Sequence, residues 1–361
     1  MNQDFYDLDL EYKPDFVESM KRIYAWYECE IIDRVPVRFT AHNQEYETVE
    51  DTENWKSLKD RWYDVEYQIK HFEASLDGPC LGETFPVYWP NLGPNVYAAM
   101  LGGEIEFGDV TSWVHPILHS QGDADKIKFD EDNESLAKLM ELTDHSLERC
   151  ENRYMVGYTD MHPSLDCLDA LRGTTGLCMD MYDDPDRLHR MIENCYKPFV
   201  GIMDMMHRKL KAKKQLSVSW MNIPSFKTMH IPSCDLGSMI SKPSFDEFSL
   251  PYIKREVKHF EHNIFHLDGK GVANHIDSIL ELDEINAIQW VQGVGNEKPI
   301  MQWLPLIKKI QNAGKGVIVD LELSELEEFI SQMSPKGIYL CISESDRGMQ
   351  KTILDRLLKW S

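Results

Sequence analysis

A histidine and an aspartate, His266 and Asp268, end a short apolar run and are followed at once by two glycines, Gly269 and Gly271. Because side chains two residues apart on a β-strand point to the same face, the two groups can act together. A later apolar run ends at Cys341. Three such ligands with one exchangeable position are typical of a catalytic zinc site. The spacing therefore predicts zinc bound by His266, Asp268 and Cys341. The alternative is a buried core histidine, a helix-capping aspartate and a buried thiol.

Further polar and aromatic side chains follow other predicted strands. Asp160 and His162 are candidates for proton transfer to a substrate, with helix capping as the alternative role of Asp160. Tryptophans at strand ends or in loops suit a flat aromatic ligand, a methylammonium group or a corrin ring, or else they fill the top of the core. The candidates for substrate binding are His42, Asn43, Trp89, Trp113, Trp220 and Gln289.

The elements that must position these residues alternate between strands and helices. Such alternation predicts a parallel sheet, and eight units predict a single α/β TIM (β/α)8 barrel. The barrel is expected to span residues 1–361 as one domain, with an N-terminal helical extension. A doubly wound open sheet is the alternative, but no Gly-x-Gly-x-x-Gly motif follows the first strand. The predicted strands are 35–39, 85–89, 154–160, 216–220, 264–268, 287–291, 316–320 and 337–342.

Composition narrows the function classes. The 361 residues carry a formal net charge of −23, from 38 basic and 61 acidic side chains, which disfavours nucleic acid and anionic membranes as partners. No apolar run is long enough for a membrane span, and residues 1–14 lack the apolar segment of a signal peptide. The eight cysteines include no Cys-x-x-Cys pair. Reduced thiols and a cytoplasmic location are therefore expected.

Several stretches together resemble the uroporphyrinogen decarboxylase superfamily, whose members are TIM barrels. They are 33–37, 157–173, 235–237 with 241–245, and 266–269. The decarboxylases of this superfamily carry an arginine-rich segment after the first strand, but Thr40–Tyr46 contains no arginine here. The chain is closer to the cobalamin-dependent methyltransferase branch, which holds zinc with His-x-Cys and a distant Cys. His266 and Cys341 match that pattern, and Asp268 replaces the first Cys.

The resemblance implies a zinc-dependent methyltransferase. It would move a methyl group between a small methylated substrate, of the methyl ether, thiol or amine type, and a corrinoid such as methylcobalamin. The corrinoid is expected on a separate partner protein, because this chain has no second domain to hold it. A glutamate that approaches the metal in that branch falls near Gln289. The alternatives are a carboxy-lyase acting on a smaller acid, with Asp160 or His162 as proton donor, and a barrel that only binds a corrinoid protein.

Overall fold

A computed structural model describes residues 6–40, 55–293 and 299–360. The two predicted substrate-binding residues His42 and Asn43 lie outside these ranges. The described part of the chain forms ten strands: β1 (Val37–Thr40), β2 (Val87–Tyr88), β3 (Glu104–Phe107), β4 (Ser112–His115), β5 (Met155–Val156), β6 (Met229–His230), β7 (His262–Asp268), β8 (Ala287–Val291), β9 (Gly316–Asp320) and β10 (Ile338–Ser343).

Helices precede and follow these strands. They are α1 (Phe16–Tyr27), α2 (Leu58–Tyr63), α3 (Val65–Ala74), α4 (Val96–Met100), α5 (Glu134–Arg149), α6 (Leu165–Arg172), α7 (Thr174–Asp183), α8 (Pro185–Tyr196), α9 (Phe199–Ala212), α10 (Lys242–Phe248), α11 (Leu250–His259), α12 (Gly269–Ala273), α13 (Ile276–Leu280), α14 (Leu304–Asn312), α15 (Leu326–Gln332) and α16 (Arg347–Leu357). None of the described helices is long and apolar enough to cross a membrane.

Six strands form one parallel sheet in the order β1-β10-β9-β8-β7-β6. The prediction of an α/β protein with a parallel sheet is confirmed, and the predicted C-terminal strands match β7 to β10 closely. A complete eight-stranded barrel is not resolved, because β2 and β5 pair only with each other among the described strands. The segment that precedes β2 is linked to β1 by a single backbone hydrogen bond, from Glu83 N–H to Val37 O at 2.6 Å.

Three predicted elements differ from the structure for local reasons. The sequence of residues 55–76 predicts one helix, but the structure interrupts it at Asp64, whose side chain accepts the Tyr67 N–H and starts a new helix. The predicted strand 216–220 forms only an isolated antiparallel bridge between Ser217 and Ser225. The chain turns there at Asn222, which has a φ of 58°. The glycines and prolines of residues 91–122 predict a long loop with a short helix at 95–101. The structure has that helix as α4 and also contains the antiparallel hairpin of β3 and β4, which was not predicted.

Strand β7 shows how the sheet positions polar groups. Ile264, Phe265 and Leu267 are fully buried, whereas His266 and Asp268 are half-buried at the carboxyl end of the strand. Each fully buried side chain of this size favours folding by about 1.5–3 kcal/mol relative to an exposed one. Those contacts fix the strand's register, so that His266 lies opposite Gln289 on β8.

Candidate metal centre and adjoining cavity

Three side chains at the carboxyl end of β7 could share one metal ion. They are Asp235, His266 and Asp268, which each offer a ligand atom, and these atoms all lie within 4.8 Å of one another. Two of the three come directly from β7. Asp235 begins a 3-10 turn, and the segment before it runs parallel to β7, with the His266 N–H donating to Pro232 O at 2.9 Å. Two elements therefore deliver the three donors.

The ring of His266 is held in a single orientation. Its Nδ1 lies 2.7 Å from Oε1 of Gln289, a residue that is 5% exposed, and since that oxygen only accepts, Nδ1 carries the proton. Trp220 packs edge-on against the ring at a centroid distance of 5.3 Å. These contacts leave Nε2 as a lone-pair donor. A metal-ligating histidine usually has a fixed outer partner of this kind.

The electrostatics of this centre favour a bound cation. The side chain of Asp235 is exposed at the surface, yet loss of solvent around it, followed by the charge of Asp166 and most weakly that of Asp268, raises its pKa to about 6, although His266 and His162 oppose the shift. A divalent ion would relieve this crowding of carboxylates. One imidazole nitrogen and two carboxylate oxygens fit Zn²⁺ as a three-ligand set, and they make a harder site than one that includes a thiolate.

A hydrogen-bonded chain lies beside the three donors and includes both predicted catalytic residues. His162 Nε2 lies 2.6 Å from Asp160 Oδ2, and its Nδ1 lies 2.8 Å from Ser233 Oγ. The Ser233 hydroxyl donates its one proton to Asp166 Oδ2 at 2.8 Å. The serine can therefore only accept from His162. Because both ring nitrogens donate, the geometry requires His162 to be an imidazolium cation.

The pKa of His162 agrees with that assignment. Burial lowers it, but Asp160 outweighs burial and raises it to about 9, with smaller contributions from Asp166 and Asp235. Burial raises the pKa of Asp160, and His162 and more weakly His266 bring it below its usual value. The pair is thus an ion pair at neutral pH. The imidazolium and the carboxylate balance each other, so the pair adds no net charge beside the acidic centre.

Cys341, the third predicted metal ligand, lies in a different cluster. Its neighbours across the sheet are Arg38 on β1 and Asp320 on β9. The Arg38 guanidinium hydrogen bonds to this thiol and to the carbonyl oxygen of Met221. Burial raises the pKa of Cys341 to about 12, although Arg38 opposes the shift. Among the described residues, the close group of ligand atoms therefore contains Asp235 and does not contain Cys341.

A cavity of about 900 Å³ opens at the carboxyl ends of β8, β9, β10 and β1. Its wall includes Arg38, Cys341, Trp290 and Val291. The three metal donors are not among the described residues of its wall. The cavity adjoins them because Val291 of the wall, on β8, is the register partner of Asp268 on β7. A small molecule in the cavity would thus lie next to the candidate metal.

The predicted substrate-binding tryptophans occupy different places. Trp220 contacts His266, and Trp89 follows β2 and is half-buried. Trp113 lies on β4 of the hairpin, 41% exposed and opposite Glu106, away from the parallel sheet. Gln289 is linked to the candidate centre by its hydrogen bond with His266. The structure therefore brings Trp220 and Gln289 to the candidate centre and leaves Trp113 on the protein surface.

Sequence reasoning missed four residues of these clusters: Arg38, Asp166, Ser233 and Asp235. Three of them lie in a helix start or an irregular loop, where no strand periodicity marks their direction. The only signal was that Asp235 and Asp166 fall within stretches that carry the family resemblance. Arg38 was missed because it lies within the first strand, two residues before the arginine-free segment begins at Thr40.

Comparison with known proteins supports the fold. No family model matches the chain, and no curated protein matches it in sequence. Among solved structures, the chain is similar to a methyltransferase from Methanosarcina mazei, with a TM-score of 0.58 and 11% sequence identity. The likeness covers 94% of this chain and 98% of the other. At this identity the similarity establishes a shared fold along nearly the whole chain.

Proposed function

We propose that the protein is a zinc-dependent methyltransferase of the uroporphyrinogen decarboxylase superfamily, acting between a small methylated substrate and a corrinoid protein. The observation that carries the proposal is the close grouping of Asp235, His266 and Asp268 beside a cavity at the sheet's carboxyl edge. The fold shared with a methyltransferase supports it. In this proposal Asp235 takes the third ligand position for which the sequence had suggested Cys341.

The proposed roles of the chain's own residues follow from their contacts. His266 would hold the ion through Nε2 while Gln289 fixes its ring, and the two aspartates would complete the set. A bound zinc ion supplies Lewis acidity, which activates a thiol as thiolate or improves a methylated heteroatom as a leaving group. The harder oxygen donors favour an oxygen-containing methyl donor. Trp220 would shield one side of the centre from water.

In this reaction His162 would supply a proton, and Asp160 would keep His162 protonated until then. The heteroatom that gives up a methyl cation keeps the bonding electron pair and takes a proton. His162 holds a proton beside the centre, and Asp160 keeps it charged at neutral pH. Because both N–H groups are already donated to Asp160 and Ser233, one of these contacts would have to open for His162 to act as a general acid, a role that contributes about 10²–10⁴-fold to a rate. Cavity residues would receive the substrate, and the predicted His42 and Asn43 remain candidates for this role.

We also propose that the chain is one domain whose sheet closes into a TIM barrel. Backbone hydrogen bonds from Gly157 N–H to Tyr88 O at 2.7 Å and from Tyr158 N–H to Val218 O at 3.0 Å continue the sheet beyond β2 and β5. Such closure would leave all strand ends around a single mouth, which is where TIM barrels place their chemistry. The corrinoid protein would approach this mouth.

One observation favours a second function, a carboxy-lyase acting on a small acid. Arg38 is the one basic side chain in the described wall of the cavity. A single guanidinium suits one substrate carboxylate, in contrast to the several that a porphyrin carries. Its existing bonds to Met221 O and Cys341 and the acidic Asp320 beside it argue for the methyltransferase as the first candidate.

The experiment that separates these functions uses the full chain loaded with zinc. A reduced corrinoid protein and candidate methyl ethers, thiols and amines are added, and the cobalt absorbance reports methyl transfer. Asp235→Ala should abolish the signal, whereas Asp186→Ala, at an exposed position of α8, should not. Activity that is unchanged in Asp235→Ala would contradict the proposed centre. Release of CO₂ from small acids without methyl transfer would establish the lyase instead.

A further inference from the structure

The carboxylate of Asp166 binds three donors from four consecutive residues of another segment. Its Oδ2 accepts the Ser233 hydroxyl at 2.8 Å and the Asp235 N–H at 3.1 Å. Its Oδ1 accepts the Leu236 N–H at 3.3 Å. Asp166 stands in the first turn of α6, but these bonds run to the segment 233–236 and not to its own helix. One side chain thus fixes the backbone of that segment at two successive peptide groups.

The direction of the Asp235 carboxylate depends on that backbone. No hydrogen bond holds the Asp235 carboxylate itself within the part of the chain that the structure describes. The segment around it is anchored on both sides, by the parallel bridge of Ser233 to His266 and by the burial of Leu236. Between these anchors, Asp166 is the group that accepts the Asp235 N–H, and the Ser238 hydroxyl donates to the Asp235 carbonyl oxygen at 2.8 Å.

We propose that Asp166 is a positioning residue for the metal centre: through the peptide groups of Asp235 and Leu236 it aims the Asp235 carboxylate at His266 and Asp268. The inference rests on the proposed function, because it requires that Asp235 binds the metal. Outer partners of metal ligands commonly act in this way, by fixing a first ligand before the ion arrives. Ser233 extends the contact to His162, so the hydrogen-bonded chain runs from Asp160 through His162 and Ser233 to Asp166.

A positioning role differs measurably from a simple charge effect. Loss of a negative charge near a bound dication weakens binding but leaves the coordination unchanged. Loss of positioning withdraws one ligand and so changes the coordination geometry. The visible absorption of a cobalt(II)-loaded protein responds to ligand number and geometry. It therefore separates the two effects without any measurement of activity.

The test measures zinc affinity by competition with a chromophoric chelator, together with the cobalt(II) spectrum, on the full-length chain. Asp166→Asn should weaken zinc binding about 10–100-fold, the range typical of outer-shell partners, and its cobalt spectrum should shift toward that of Asp235→Ala. Asp169→Asn is the matched control, since it removes one carboxylate from the next turn of the same helix. It should leave both readouts as in the wild type.

Each result decides the inference. A folded Asp166→Asn variant with wild-type affinity, or with weaker affinity and a wild-type cobalt spectrum, would overturn the positioning role alone. If Asp166→Asn fails to fold, Ser233→Ala decides, because it removes one of the three hydrogen bonds to the Asp166 carboxylate, together with the contact to His162, and keeps the carboxylate. It should produce a smaller loss with the same spectral shift, and a wild-type result would overturn the role. Zinc binding that does not depend on Asp235 would remove the metal centre itself and with it the proposed function.

Discussion

Two clusters lie at the same carboxyl edge of the parallel sheet, and they differ in charge balance. The cluster on β7 combines Asp235 and Asp268 with an imidazole whose Nε2 is free. The cluster on β10 combines Cys341 with Arg38 and Asp320. The first has two carboxylates and no cation of its own, whereas in the second a guanidinium balances a carboxylate. Both clusters therefore lie at strand ends, and their position does not distinguish them. The charges of the neighbouring side chains do: they favour a metal ion in the β7 cluster and already balance in the β10 cluster.

The state of the donor atoms in the two clusters also favours the β7 cluster as the metal site. Metals bind the thiolate form of cysteine, and burial raises the pKa of Cys341 to about 12. In His266, Nδ1 is bound to Gln289, and Nε2 has no hydrogen-bond partner among the described residues, so it is open to a metal. The first cluster is thus prepared for a cation. In the second, Arg38 already supplies positive charge to the thiol and to Asp320.

The largest expected effect that distinguishes the clusters is that of His266→Ala. A three-ligand site has no spare donor, so this change should reduce zinc affinity by more than the roughly 10–100-fold typical of outer partners. Zinc per purified chain and chelator competition would measure it. His275→Ala, which replaces a buried histidine bonded to the Gly237 carbonyl, is a control for loss of an imidazole. Full zinc retention by His266→Ala would exclude the β7 cluster.

An intermediate effect is expected for Gln289→Ala. The change removes the acceptor that fixes the His266 tautomer and ring, and it should weaken zinc binding about 10–100-fold. Gln289→Glu keeps an acceptor and should retain most of the affinity. The same chelator competition serves as the readout. Equal affinities for wild type and Gln289→Ala would show that the contact does not orient the ligand.

A smaller effect concerns stability and pH at His162. Its pKa rises from 6.5 to about 9 in the folded chain, so its contribution to the free energy of unfolding is full below pH 6.5 and is lost as pH rises through 9. In metal-free protein the wild type should lose stability over this window, and His162→Gln should lose less, by on the order of 1 kcal/mol. Urea unfolding at both ends of the window measures the difference. Parallel pH profiles would refute the ion pair with Asp160.

The regular half of the fold could be predicted from sequence because each element carries its own signal. Strands β7 to β10 are short apolar runs separated by amphipathic helices, and their predicted bounds differ from the observed ones by two residues at most. The stretch 216–241 lacks such periodicity, so the bridge at Ser217 was predicted as a strand, and β6 was not predicted. Tertiary hydrogen bonds decide the backbone there, and single-sequence patterns do not contain them.

The candidate site, too, could be predicted only for residues that lie close together in the sequence. His266 and Asp268 share a strand, so their common face followed from the two-residue period. Asp160 and His162 proved to be hydrogen bonded, which the two-residue spacing also allowed. Asp235 reaches the centre from a loop about 30 residues earlier, through contacts with Asp166 that no spacing rule reveals. The choice between Asp235 and Cys341 as third ligand thus required three-dimensional positions.

The most direct test of the account is a zinc titration of three full-length proteins: wild type, Asp235→Ala and Cys341→Ala. Both variants replace a larger side chain at the sheet's carboxyl edge by alanine, one from each cluster. We expect one tight zinc per chain for the wild type and for Cys341→Ala, and a large loss of affinity for Asp235→Ala. Unchanged zinc binding in Asp235→Ala together with its loss in Cys341→Ala would contradict the account and assign the metal to the thiol cluster.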